Sequence, residues 1–288
     1  MKWQGGRRST NVRMSGGKAA GGGIFGIIIG LVLWLVFGVN PMTAFQTGQS
    51  MTGGSSTTQP ANDDSRDTQF VESVLANTED VWTQIFSELG MTYKQPTLVL
   101  FNGRTNSACG SATSASGPFY CPGDQQVYLD TSFFAEMRNN LGIAGDQQGS
   151  AEVENQGKAG DFAQAYVIAH EVGHHVQTLL GISQKVTEAR RQVNETQANQ
   201  LSVRQELQAD CFAGVWANRN QQRVDYLEPG DLEEALNAAS QIGDDRLTRG
   251  TVSPDNFTHG TSQQRVNWFT RGLQSGDINS CDTFSGSI

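Results

Sequence analysis

The sequence predicts an α+β domain, mostly helical with a small sheet, preceded by a separate N-terminal apolar segment. Three observations carry this: long stretches with apolar residues at helical spacing, two short strand-like runs between the first helix and the rest, and one uncharged apolar block near the start. Phe70, Val74, Val81, Ile85, Phe86 and Leu89 keep helical spacing up to Gly90, a helix terminator. Residues 97–101 read as a buried strand and 127–129 as a second one. From Asp161, a candidate N-cap, a helix runs through Phe162, Ala165, Tyr166, Ala169, Val172, Gly173 and Val176 to Leu180, ending at Gly181. Further helices are expected at 183–198, 202–218, 231–242 and 262–273, and 142–160, rich in Gly and Gln, is expected to be a mobile loop. No repeat, phosphate-binding glycine loop or nucleotide fingerprint occurs.

The chain divides unevenly. Residues 1–23 hold Lys2, Arg7, Arg8, Arg13 and Lys18 and no acid, and read as a basic cytoplasmic tail. The run IFGIIIGLVLWLVFGV, at 24–39, lies in a stretch without charge from 19 to 62, so 24–45 is expected to form one transmembrane helix. A cleaved signal peptide is the alternative. Residues 46–66 are a polar, low-complexity linker, and the folded domain is expected at 67–288. This organisation places a single-pass protein in the cell (inner) membrane, with its N-terminus cytoplasmic and its domain extracytoplasmic or periplasmic.

Setting the five N-terminal cations aside, 15 basic residues face 29 acidic ones. That balance argues against a nucleic-acid partner. The four cysteines, Cys109, Cys121, Cys211 and Cys281, lie in the part predicted to be outside and lack zinc-ribbon spacing. The favoured pairing is Cys109 with Cys121, closing a Gly- and Ser-rich loop, and Cys211 with Cys281, tying the C-terminal tail to a helix. A bridge closing a loop of about 12 residues contributes roughly 3 kcal/mol in the chain-entropy model. A free buried thiol is the alternative for Cys211.

The segment AHEVGHHVQ places His170 and His174 four apart with Glu171 between them. On a helix, positions i and i+4 share a face, so both imidazoles can converge on one ion. Glu171, about 100° further round, can reach a water without being a ligand. The run ELQADCFAGVW adds Glu206 and Asp210, again one turn apart, on a helix whose apolar residues mark it as packed in a core. Glu206 is the candidate third ligand, and Asp210 the candidate acceptor of a hydrogen bond from the ring of His170. A solvated acidic edge pairing with Arg204 is the alternative. His259, in THGTSQQRVNWF before a helix starting near Thr261 or Ser262, could donate to an oxyanion. Arg265 is either a second such donor or half of a structural ion pair. His175 points away from the His170 and His174 face and has no assigned chemistry.

Together with CGSATSASGPFYCPGDQQVYLD, these runs resemble the bacterial neutral zinc metallopeptidases, a family whose members are often membrane-anchored. The resemblance covers residues 70–281. It implies a zincin-like domain with one Zn2+ per chain, held by His170, His174 and Glu206, and Glu171 as general base. A likeness to the wider group of peptidases with a Glu-x-x-x-Asp helix gives Asp210 the orienting role. The implied activity is peptide-bond hydrolysis, with a peptide or protein substrate extended against an edge strand, assigned to residues 126–130. The alternative is a tethered envelope protein that binds protein partners without cutting them, its zinc structural and closed by a fourth ligand such as His259.

Overall fold

The computed structural model describes residues 1–15, 65–134, 137 and 160–288. The expected transmembrane segment at 24–45 and loop at 142–159, with most of the expected linker, lie outside the described residues. Among the described residues, no helix is long and apolar enough to cross a membrane.

The architecture is α+β and mostly helical. The strands are β1 (Val12–Met14), β2 (Thr97–Phe101), β3 (Arg104–Ser107), β4 (Gly110–Thr113), β5 (Phe119–Cys121) and β6 (Gln126–Asp130). The helices are α1 (Arg66–Glu88), α2 (Asp161–Leu179), α3 (Ile182–Arg190), α4 (Glu195–Val224), α5 (Asp231–Gln241), α6 (Asp244–Leu247) and α7 (Ser262–Ser275). One sheet has the order β1-β2-β6-β5, and β3 pairs with β4 in a separate hairpin. β1, β2 and β6 run parallel, while β5 is antiparallel to β6.

Residues 126–130 therefore do not form an edge. β6 is hydrogen-bonded on both sides, to β2 and to β5, and β5 lies at the end of the sheet. Val127, Tyr128, Leu129 and Asp130 are buried in succession, the pattern of a strand covered on both faces. The Gly- and Ser-rich stretch before it, which reads as a loop from its composition, contains β3, β4 and β5, and the Cys109–Cys121 disulfide joins the hairpin to β5. Cys211 bonds Cys281, as the favoured pairing expects.

The basic N-terminal segment is not a tail apart from the domain. β1 pairs in register with β2, matching Val12 to Leu98 and Met14 to Leu100. Trp3 is buried edge-on against Phe70, its centroid 5.5 Å away. Its ring N–H donates to Asp161 Oδ2 at 3.0 Å. Asp161 is thus the first residue of α2 and a tertiary acceptor, and Gly160 occupies the N-cap position. The described domain therefore includes residues 1–15 as well as 65–134 and 160–288.

Two helices are present where 183–198 and 202–218 are expected, but the break falls earlier: α3 ends at Arg190, and from Glu195 to Val224 the chain is the unbroken helix α4. Its start is set by a reciprocal capping box between Asn194 and Gln197, and no Gly or Pro interrupts it before Gly214. Gly214 permits close contact with α7, because an added Cβ would overlap Phe269 O. Gly272 does the same from α7 against Cys211 O. Trp82 packs edge-on against Phe212, and Phe162 stacks on Trp216, joining α1, α2 and α4 in one core.

Candidate metal centre

α2 supplies two imidazoles and α4 the carboxylate. Gly173 sets how closely those helices meet: a Cβ there would lie 3.0 Å from Ala209 O and 3.1 Å from its Cα. That approach brings α4 residues 206 and 210 opposite His170 and His174. The ligand atoms of His170, His174 and Glu206 all lie within 4.8 Å of one another. His170 Nε2 is 3.2 Å from Glu206 Oε2, and His174 Nε2 is 3.5 Å from Glu206 Oε1. Ligands about 2.0–2.1 Å from a tetrahedral zinc are separated by about 3.4 Å. The donor set therefore fits zinc both in chemistry and in spacing.

Each ring has a second contact that fixes its orientation. His170 Nδ1 donates to Asp210 Oδ1 at 2.8 Å, leaving Nε2 toward Glu206. His174 Nδ1 donates to Gln177 Oε1 at 2.9 Å. Gln177 Nε2 donates in turn to Gln205 O and Gln208 Oε1, and Gln208 donates to Cys281 O. The half-cystine of the C-terminal tail thus ends a hydrogen-bond chain that begins at a candidate ligand.

Asp210 is fully buried and fully partnered. Arg265 holds it bidentately, Nε to Oδ2 and Nη2 to Oδ1, both at 2.9 Å, and Tyr166 Oη donates to Oδ1 at 2.6 Å. Burial opposes the charged carboxylate, but Arg265 and His170 hold its pKa below the ordinary range. Arg265 is itself only 2 % exposed. Of the two roles open to it, the structure gives the ion pair, since its fork is spent on Asp210. For His170, burial disfavours charge while Asp210 and Glu206 outweigh it, raising the pKa to about 10. Glu206 is lowered well below the ordinary carboxylate range, its burial overcome by His174 and His170. These shifts describe carboxylates and imidazoles that attract positive charge between them, and zinc would take the place of those protons.

Glu171 is buried beside this cluster at 8 % exposure and acts electrostatically on His174. His259 is outside the group whose ligand atoms converge, although it is electrostatically coupled to Glu206. Its Nδ1 donates to Asp244 Oδ1 at 3.1 Å. Asp244 Oδ2 also accepts the backbone N–H groups of Thr258, His259 and Gly260 at 2.7–3.1 Å. Desolvation works against an imidazolium here, but Asp244 and Glu206 raise its pKa.

His175 has a separate task. It is fully buried; Nε2 donates to Lys94 O at 2.6 Å, and Tyr120 Oη donates to Nδ1 at 3.1 Å. Burial lowers its pKa to about 4, so it is neutral and pins α2 to β5. Sequence reasoning missed Tyr166, Gln177, Gln208 and Asp244. Tyr166 and Gln177 carried a usable signal, being one turn before His170 and three residues after His174. Asp244 carried none.

Two histidines on α2 and a glutamate on α4, each ring oriented by an acceptor behind it, form a donor set that could hold a metal ion. The family profile described as "Putative neutral zinc metallopeptidase" matches residues 1–154 and 150–284, and the chain belongs to this family. It is 48 % identical over 304 aligned residues to the uncharacterised protein YpfJ of Escherichia coli K12, covering all of both chains. It is also 41 % identical over 231 residues to the uncharacterised proteins Mb2605 of Mycobacterium bovis and Rv2575 of Mycobacterium tuberculosis H37Rv, spanning 76 % of this chain and 72 % of theirs. No solved structure matches significantly.

Proposed function

We propose that this protein is a zinc-dependent peptidase that hydrolyses peptide bonds with Glu171 as general base. The observation that carries the reading is the convergence of His170, His174 and Glu206 on one point, with three protein ligands rather than four. Three is the number found in catalytic zinc sites, where structural sites close with a fourth. Among the described residues His259 does not join the group, which favours hydrolysis over a purely structural metal.

His170, His174 and Glu206 would hold one Zn2+ per chain, which would supply an activated water with its pKa lowered toward about 7 and polarise the scissile carbonyl. Glu171, beside His174, accepts the water's proton and returns it to the leaving amine. His259, its Nδ1 held by Asp244, is the proposed donor to the developing oxyanion. Asp210 and Gln177 keep the two rings in the tautomer that presents Nε2. β5 is the strand proposed to receive an extended substrate: it ends the sheet, and His175 ties it to the helix carrying the ligands. The domain is proposed to work outside the cytoplasm, where its two disulfides persist, with the apolar run 24–39 attaching it to the membrane.

The decisive variant is Glu171→Gln in the full chain. Zinc content is expected to stay at one per chain while cleavage of a peptide library falls by about 10³-fold or more. Equal cleavage by the variant would remove Glu171 from the mechanism.

A further inference from the structure

We infer that residues 1–15 and the metal centre lie on the same side of the membrane, so that the chain between them makes no net crossing. The inference does not depend on the peptidase reading. It begins with Glu79 on α1, only 1 % exposed. Its carboxylate is met by Arg7 Nη2 at 2.9 Å, Ser9 Oγ at 2.6 Å and Asn11 Nδ2 at 2.7 Å. All three donors come from the N-terminal segment. A carboxylate buried to this degree is destabilising unless it is paired and hydrogen-bonded, so α1 is built to receive this segment.

Other contacts reach separate parts of the domain. Ser73 Oγ on α1 donates to Trp3 O, Trp3 Nε1 donates to Asp161 at the start of α2, and β1 extends the sheet beside β2. α2 is the helix that carries His170 and His174. Contacts of 3 Å cannot form across a hydrocarbon layer about 30 Å thick. The family match, which begins at residue 1, agrees that this segment belongs to the domain.

The basic character of the segment has the same explanation. Read alone, the cations mark a cytoplasmic flank. In the fold, Arg7 pairs with Glu79 and Asp80, Lys2 with Asp225, and Arg8 reaches Glu72. These three complement acids of the domain, so a count that includes them does not by itself report membrane sidedness. The apolar run 24–39 is long enough for one crossing at most, and a single crossing is what these contacts forbid.

The test is topological. Thr10→Cys and, separately, Arg190→Cys, both at exposed positions, are made in the full chain. Intact cells are treated with a membrane-impermeant maleimide before and after permeabilisation, and detergent-solubilised protein serves as the control for reactivity. Both positions are expected to label in the same fraction, whether that is intact or permeabilised cells. Labelling of one position in intact cells, with loss of labelling at the other until permeabilisation, overturns the inference. If Thr10→Cys is unreactive even in detergent, Arg13→Cys, exposed on β1, takes its place and is read by the same rule.

Discussion

Two aspartate–histidine couples flank Glu206, and they are built differently. In the first, Asp210 and His170 are sealed in the core, and every contact to the carboxylate comes from a side chain on another helix: Arg265, Tyr166 and His170 itself. In the second, Asp244 is held mainly by three backbone N–H groups of the 258–260 loop, and the side chain of His259 is 46 % exposed. The first couple fixes the ring of His170, a candidate ligand. The second leaves the ring of His259 open to solvent. A buried, charge-balanced network resists any single change because each removal strands a partner, whereas a loop held by one carboxylate is locally defined and separable from the core.

This contrast orders the expected effects. Asp210→Ala should be the most damaging, since it leaves Arg265 buried without its counter-ion. A loss of about 3–5 kcal/mol in denaturant unfolding is expected, with zinc affinity weakened by about 10–100-fold. Normal zinc affinity and stability in that variant would break the distinction between the couples. His259→Gln should leave fold and zinc content intact while lowering kcat by about 10²-fold, as removal of one oxyanion donor does. If zinc were lost instead, His259 would be a ligand and not a donor. Asp244→Asn keeps an acceptor for part of the loop but removes the charge behind His259, so a smaller fall in kcat, about tenfold, is expected from one weakened charge-assisted hydrogen bond. Equal effects of Asp210→Ala and Asp244→Asn on thermal stability would erase the comparison.

The smallest effect is a pH dependence at the entrance to α2. Glu234 accepts the N–H of Phe162, and burial, with Asp231 nearby, raises its pKa to about 7. A raised carboxyl pKa means that the folded state prefers the protonated acid. Its contribution is complete below the ordinary glutamate value near 4.3 and disappears as pH rises through about 7. Compared with the parent chain, Glu234→Gln should therefore show a flatter fall in Tm between about pH 4 and 7. Parallel Tm curves would show that Glu234 does not titrate in this window.

Legibility in the sequence followed the distance over which each feature is determined. The helical positions of His170, Glu171 and His174 and the boundaries of β2 follow from local periodicity, and the structure has them as expected. Residues 126–130 form a strand, but a short apolar run says nothing about how many neighbours the strand has, and they lie inside the sheet. β1 was hidden because Val12 and Met14 stand among Arg and Gly residues, where a three-residue strand leaves no periodic trace. A count of N-terminal cations does not show that Arg7 meets Glu79 and Asp80, some seventy positions away.

By itself, the sequence determined what lies within one element: two imidazoles one turn apart on α2, Glu206 and Asp210 one turn apart on α4, and the glycines that let helices approach. Helical spacing is set by backbone geometry alone, so those relations hold wherever the helices pack. Only the tertiary structure decided that Glu206 meets both histidines, that Arg265 belongs to Asp210 and Asp244 to His259, and that residues 1–15 complete the sheet. Those pairings join segments far apart in the chain, and the packing of buried side chains selects them.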